Sequence, residues 1–451
     1  MKITFLGAVE EVTGSKYLIE HEDTKILVDC GLFQGDSEFS KRNWDTFPID
    51  PSSIDAVVLT HAHIDHTGYI PLLVKNGFKN KIYCSEATFE LCSLLLVDCG
   101  IIQEEDADHA NKHGYSSHHP ALPLYTEIDA KHSLKYFHVV DYDTVLTIGT
   151  LKITLIRSGH ILGSSFITIF DGKKTLTFSG DLGRPNDLIM KPPTHLKKTD
   201  FLVIESTYGD KLHEKADPID AIGEVINKTI AKGGVLIIPA FAVGRTQTIL
   251  YCLYQLKHKK SIPDIPIFLD SPMAISITKL LCKFKDELKL SSQLCTDICG
   301  IARYTRKREE SMQIDRVKGS SIIIAASGMA TGGRVLHHFK HFISDAKNTI
   351  LFVGFQEKST AGRALVDGAK EIKIHGEMYP VHAEIKTIET FSAHADYNEI
   401  LEWIGYFESG PQKVFITHGE IESAQSLKKK IEERFGCSVI IPKYLESFKL
   451  D

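Results

Sequence analysis

The chain has 451 residues, 43% hydrophobic and 24% charged, an ordinary globular balance in a chain long enough for two domains. Its net charge of −6 excludes a protein that grips nucleic acid through a broad basic surface; any phosphates would have to be met by a local cleft and by metal ions. No apolar run reaches membrane-spanning length and no signal-peptide pattern opens the chain, so the cytoplasm is the expected compartment and no membrane partner is expected.

In chain order, short β-like runs alternate with turns at 25–29, 56–60, 151–156, 166–170, 175–178 and 201–205, and a helical pattern covers 86–110. From about residue 209 the texture changes. Helices are expected at 219–232 and 245–257, around nearly all-apolar strands at 235–239, 267–269, 322–325 and 350–352. Strands apolar on both faces with helical crossovers indicate a parallel, doubly wound sheet. Alternation resumes after about 370, at 371–375 and 381–390, and a strand at 414–417 and a helix close the chain. The pattern predicts an α/β protein in which residues 209–370 are inserted into a domain made of 1–208 and 371–451.

Nine cysteines are scattered along the chain without a Cys-x-x-Cys pair, which excludes a zinc finger. Cys92 and Cys99 read as buried thiols, and Cys295 and Cys299 as core packing rather than a metal pair. His109, His113, His118 and His119 form a second histidine-rich stretch, read as solvated surface because no strand-end carboxylate accompanies it.

The strongest local signal is Thr60-His61-Ala62-His63-Ile64-Asp65-His66 at the carboxyl end of an apolar strand. In extended backbone His61 and His63 point the same way, while Asp65 and His66 turn away at the start of a helix and can address a second ion. Imidazoles and carboxylates suit zinc, manganese or iron. His160, Asp181 and His418 recur at strand ends beside glycine, and Asp29 is a strand-end carboxylate suited to holding a ligand histidine from behind.

These residues resemble the ligand set of the metallo-β-lactamase superfamily. The resemblance implies an αββα sandwich with two Zn2+ (or Mn2+ or Fe) between its sheets. His61, His63 and His160 would hold one ion, Asp65, His66 and His418 the other, and Asp181 both. Glu205 in Val203-Ile204-Glu205-Ser206-Thr207-Tyr208-Gly209, His394 in Phe391-Ser392-Ala393-His394, and His418 resemble motifs A, B and C of the β-CASP nucleases. The inserted segment resembles the parallel-sheet β-CASP domain.

A histidine at motif C is typical of the RNA-acting members, so the resemblance implies a two-metal ribonuclease acting on single-stranded RNA. The cuts would be endonucleolytic, leaving 3′-hydroxyl and 5′-phosphate ends. Asp65, His394 and Glu205 are then the catalytic candidates, with His394 as general acid. Ser327, Gly328, Arg334, Arg245, Lys358 and Arg363 are candidate RNA contacts, because amides at glycine-rich turns and guanidinium groups bind phosphate. Relatives with KH modules or long extensions differ from this chain, which leaves target choice and exonuclease activity open, as it does homo-oligomerisation. Two rival readings are a hydrolase of small esters or lactones, disfavoured by the insertion and by Glu205 and His394, and a noncatalytic scaffold, disfavoured by the complete ligand set.

Overall fold

The computed structural model describes residues 1–35, 38–114, 119–354, 356 and 360–451. They divide into two units, Met1–Asp187 with Lys191–Leu212 and His394–Asp451, and Leu188–Met190 with His213–Ala393.

The first unit opens with β1 (Lys2–Phe5), β2 (Tyr17–His21), β3 (Thr24–Val28) and β4 (Ala56–Val58). After α1 (Ile64–Thr67) and α2 (Ile70–Lys75) come β5 (Lys81–Cys84), α3 (Glu86–His113), α4 (Glu127–Ser133) and β6 (Phe137–Val139). β1 to β3 pair antiparallel and β3 to β6 parallel; α1 and α2 supply the crossover from β4 to β5, α3 and α4 that from β5 to β6, and residues 29–55 connect β3 to β4. Ser85 caps α3 by accepting the Thr88 amide, and Gly114 at φ 67° ends it. A second sheet follows as an antiparallel meander of β7 (Val145–Ile148), β8 (Leu151–Arg157), β9 (Ser165–Phe170) and β10 (Thr175–Phe178), with β11 (Phe201–Glu205) parallel to β10.

The second unit is built on β12 (Leu236–Pro239), β13 (Ile267–Asp270), β14 (Arg303–Tyr304), β15 (Ile322–Ala325) and β16 (Thr349–Phe352). All their pairings are parallel, in the order β14-β13-β15-β12-β16. Period-two alternation splits these strands between two cores. Leu236, Ile238, Leu269, Ile322 and Ile324 pack with the apolar faces of α5 (Pro218–Ala231) and α6 (Arg245–His258). Ile237, Phe268, Ile323 and Ile350 pack on the other side with Val335 and Phe339 of a helix at Arg334–Phe342. This is the doubly wound arrangement expected from the sequence.

One boundary differs from the sequence reading. A hairpin, Glu371–Ile374 with Glu377–Pro380, and a strand, Glu384–Thr387, follow β16. The last of these pairs parallel with β16 and so extends the inserted sheet. Residues 371–393 therefore belong with the second unit and not with the returning chain. Their alternation looked like the first domain because an edge strand, solvated on one side, alternates wherever it lies.

The chain returns through a helix at Tyr397–Ile404, a strand at Lys413–Thr417, a helix at Ile421–Phe435 and strands at Ser438–Ile440 and Ser447–Lys449. Lys413–Thr417 pairs parallel with β11, and Ser447–Lys449 pairs with β1, so each of this unit's two sheets has seven strands among the described residues. Val203 and Phe415 face the core between the sheets, with Phe5, Val28 and Phe178. Their neighbours Leu202, Ile204, Val414 and Ile416 face outward onto Ile400, Trp403, Leu427 and Ile431 of the two late helices. The first unit is the helix-covered double-sheet sandwich that the resemblance implied. No helix among the described residues is long and apolar enough to cross a membrane.

Candidate metal centre

The candidate ligands lie past strand ends of the first unit, apart from Asp65 and His66, which α1 carries. Asp29 follows β3, His61 and His63 follow β4, His160 lies between β8 and β9, Asp181 follows β10, Glu205 ends β11, and His418 follows Lys413–Thr417. Strands that finish at one edge of a sandwich bring residues from six places in the chain to one spot. Close backbone approach makes the spot tight. A β-carbon on Gly31 would lie 1.6 Å from the Asp65 carbonyl oxygen, and one on Gly183 would lie 2.1 Å from the Gly159 carbonyl carbon. Asp29 (φ 56°) and His418 (φ 51°) take the left-handed conformation, held by Asp29 N to Val58 O (3.0 Å) and His418 N to Ala8 O (2.8 Å).

The side chains converge in two groups, His61, His63, His160 and Asp181, and Asp65, His66 and His418. In the first, Asp181 Oδ2 is 3.2 Å from both His61 Nε2 and His160 Nε2, and His63 Nδ1 is 3.1 Å from His61 Nε2. In the second, His418 Nε2 is 3.2 Å from Asp65 Oδ2 and His66 Nε2 is 3.8 Å from it. Asp181 Oδ1 faces the second group, 3.2 Å from His66 Nε2 and 3.5 Å from His418 Nε2.

The donor set fits a pair of cations. Four ligands about 2.0–2.1 Å from a zinc ion at tetrahedral corners lie about 3.4 Å apart, in the middle of the observed separations. The buried Asp181 Oδ1 accepts no hydrogen bond. A carboxylate oxygen buried without a donor is costly unless a cation meets it.

The electrostatics differ between the two groups. Burial, with the His66 charge adding to it, pushes the His61 imidazole down to about 4, and burial also lowers His160, so both present lone pairs near neutrality. Burial opposes charge on His66 and His418 as well, but the carboxylates, Asp181 first, outweigh it and raise both. Asp29 supports the ring of His66, whose Nδ1 is 2.8 Å from Oδ2, and also accepts the Thr60 amide and hydroxyl at 2.7 Å each.

Beside the two groups lies an imidazole–carboxylate couple. His394 Nδ1 is 2.9 Å from Glu205 Oε2 and 3.2 Å from Oε1, and 3.9 Å from Asp181 Oδ2. Glu205 is held by the Leu182 amide and the Thr207 hydroxyl, each at 2.6 Å. The His394 segment is anchored by Ala395 N to Leu182 O at 2.9 Å and by Arg184, whose guanidinium binds Glu399 in the cap of the helix at Tyr397–Ile404. Burial alone would lower the His394 pKa; the Glu205 charge, with Asp181 adding, raises it to about 9. The two carboxylates thus favour the protonated form of the ring.

The candidate RNA contacts lie in the second unit. Arg334, the first residue of its helix, turns its guanidinium inward to Asp270 Oδ1 (2.6 Å) and to the carbonyls of Thr305 (3.2 Å) and Arg306 (2.6 Å). Arg363 pairs with Asp367 at 2.9 Å. Ser327 Oγ is 3.1 Å from Thr331 Oγ1, Gly328 lies against Phe241, and Arg245 opens α6. Lys358 lies outside the described residues, as does His118. The His109 and His113 rings are tilted at 43° to each other with centroids 4.4 Å apart, and among the described residues they join no group of three ligands. Cys299 Sγ lies 3.3 Å from Cys282 Sγ.

The sequence reading missed the threonines. Thr60 Oγ1 contacts His61 Nδ1 at 3.0 Å, and Thr207 Oγ1 contacts His418 Nδ1 at 3.1 Å. The available signal was position, since each lies within two residues of a motif carboxylate or histidine.

Comparison with known proteins agrees with this geometry. Residues 10–222 match the metallo-beta-lactamase superfamily model, 246–365 the Beta-Casp domain, and 378–442 the Zn-dependent metallo-hydrolase RNA specificity domain. A Thermus thermophilus protein named as a ribonuclease is 34% identical, with 99% of each chain covered. The transcription termination factor FttA of Methanosarcina mazei is 32% identical over 96% of this chain and 69% of its own length. A crystal structure of an Enterococcus faecalis protein of unknown function shares the fold, with a TM-score of 0.58 at 14% identity, covering 100% of this chain and 99% of that one. A relative alike from end to end, and three family models in this order, mean that the chain belongs to the β-CASP family of the metallo-β-lactamase superfamily.

Proposed function

We propose that the chain is a metal-dependent ribonuclease that hydrolyses single-stranded RNA internally, leaving 3′-hydroxyl and 5′-phosphate ends. The observation that carries this reading is the placement of Asp181. One carboxylate faces two ligand groups through its two oxygens and lies 3.9 Å from an imidazole that belongs to neither group.

In this reading His61, His63 and His160 hold one divalent cation, Asp65, His66 and His418 hold a second, and Asp181 serves both; zinc is the metal these donors favour. Bound cations supply a water of lowered pKa and neutralise phosphate charge. The chain's own contribution to bond breaking is a proton. Cleavage that leaves a 3′-hydroxyl expels the 3′-oxygen, a poor leaving group unless protonated. His394 Nδ1 is engaged by Glu205, so Nε2 is the atom that delivers the proton, and the Glu205 charge keeps the ring loaded with it. Asp29 and the threonines hold the ligand rings in orientation. The RNA preference is supported by the histidine at position 418, by the RNA specificity domain match and by the name of the Thermus relative.

Ser327, Gly328, Arg245, Arg334 and Arg363 remain the candidate phosphate contacts of the second unit, and Arg334 and Arg363 would have to exchange internal partners to serve as such. Lys358 stays a candidate on sequence alone.

The test is product mapping with single-stranded RNA labelled at either end, beside the matching DNA. Internal RNA fragments bearing 5′-phosphates are expected, with DNA untouched and a chelator stopping the reaction. Stepwise trimming from one end, 3′-phosphate products or preferred cutting of DNA would each contradict the reading.

A further inference from the structure

The Thr207 hydroxyl lies between two parts of the centre that act in different roles. Its oxygen is 2.6 Å from Glu205 Oε2, 3.1 Å from His418 Nδ1 and 3.3 Å from the His418 carbonyl oxygen. A threonine hydroxyl has one hydrogen to give. Glu205 is an acceptor, already facing the Leu182 amide and the His394 ring, so the short, charge-assisted contact takes that hydrogen. The His418 carbonyl has the Ser206 amide at 3.1 Å instead. With its hydrogen committed, Thr207 Oγ1 can meet His418 Nδ1 only as an acceptor. The proton of that ring therefore stays on Nδ1, and Nε2 is left facing Asp65 and Asp181.

The other ligand group has the same construction. The Thr60 hydroxyl donates to Asp29 Oδ2 at 2.7 Å and so meets His61 Nδ1, at 3.0 Å, as an acceptor. His61 Nε2 is then the nitrogen that faces Asp181. In each group a carboxylate orients a hydroxyl, and the hydroxyl orients a ring.

We propose that Thr207 is a positioning residue that fixes the Nδ1–H tautomer of His418 and ties this ring to the carboxylate holding His394. The proposal rests on the ligand assignment given above. Without the hydroxyl, His418 can offer either nitrogen to the centre, and Glu205 loses one of its donors. Metal affinity and proton delivery would then weaken together through one side chain that touches neither metal nor substrate.

Two variants separate the hydroxyl from the shape of the side chain. Thr207→Val keeps the shape and removes the hydroxyl; Thr207→Ser keeps the hydroxyl and removes the methyl. Zinc affinity is read by competition with a chromophoric chelator, and the His418 tautomer by nitrogen-correlated NMR of the zinc-loaded protein. Thr207→Val is expected to weaken zinc binding about 10–100-fold, the range for removing a group that supports a ligand. It should also lose the His418 Nδ1–H signal and lower kcat more than it changes KM, while Thr207→Ser restores all three. Zinc affinity, tautomer and kcat unchanged in Thr207→Val would overturn the proposal, as would equal losses in both variants. Wild-type protein that takes up no zinc in the same titration would overturn the ligand assignment itself, a result distinct from either.

Discussion

Replacing His394 by alanine is expected to lower RNA turnover about a hundredfold or more, the range for losing a general acid, while zinc content stays at the wild-type level. His394 stands outside both ligand groups, so its removal leaves the seven donors in place. What goes is a proton held near the reacting centre by the Glu205 charge, on a ring whose pKa is raised to about 9. The chemical test is a substrate whose 3′-bridging oxygen is replaced by sulfur. A thiolate leaves without a proton, so the variant should approach the wild-type rate on that linkage alone. An equal defect on both substrates would mean that His394 serves as something other than the acid, and unchanged turnover would remove it from the mechanism.

The second large effect concerns stability, in the second unit. His338 is fully buried, with Nε2 2.9 Å from Asp270 Oδ2 and Nδ1 2.7 Å from Asp315 Oδ1. A ring facing carboxylates through both nitrogens must carry both protons. Asp270 also holds Arg334, Thr305 and Ser311. Removing one partner of such a buried set costs about 3–5 kcal/mol, because the remaining charges lose their compensation. His338→Ala should therefore cut amide-exchange protection of β13 and β15 by about two to four orders of magnitude. Hydrogen exchange read by mass spectrometry is the suitable probe, since Trp44 and Trp403 both lie in the first unit.

The pH dependence has a definite sign. Burial opposes the charge on His338, but its hydrogen bonds to Asp270 and Asp315 raise its pKa in the fold. Its contribution is complete below the unfolded value of about 6.5 and is lost as pH rises through the raised folded value. Burial also opposes the charge on Asp270, and the bonds from His338 and its neighbours depress that carboxyl. Its contribution is present above about 3.9 and is lost as pH falls through the depressed value. The gap between wild type and His338→Ala should thus be widest between about pH 4 and 6.5 and should narrow in alkali. A gap that grows as pH rises above about 6.5 would contradict a charged His338.

The convergence of the candidate ligands was legible because their residue types are rare together and most recur at strand ends. His61, His63, Asp65 and His66 announced themselves locally, and His160, Asp181 and His418 became intelligible as their complement. The short β-like runs were likewise legible as strands, whereas the double-sheet sandwich was implied only by the resemblance. Strand pairing was less legible. The segment 381–390 alternates as any edge strand does, and only its non-local pairing with β16 shows which sheet it extends. The partners of Arg334 and Arg363 were also hidden, since a guanidinium beside a glycine-rich turn suits phosphate and an internal carboxylate equally. Thr207 was missed for a related reason. A hydroxyl has no fixed role until its neighbours leave it one hydrogen and one direction, and here those neighbours come from β11 and from the turn after Thr417.

The claim on which everything else depends is that Asp181 and six other side chains hold two divalent cations used to cut RNA. Metal analysis of the purified protein, paired with cleavage of labelled single-stranded RNA, tests it most directly. Two equivalents of metal per chain are expected, with activity lost on chelation and regained on zinc addition, and with both metal and activity gone in Asp181→Ala. Metal-free protein that cleaves RNA undiminished, or an Asp181→Ala variant that keeps both ions, would contradict it.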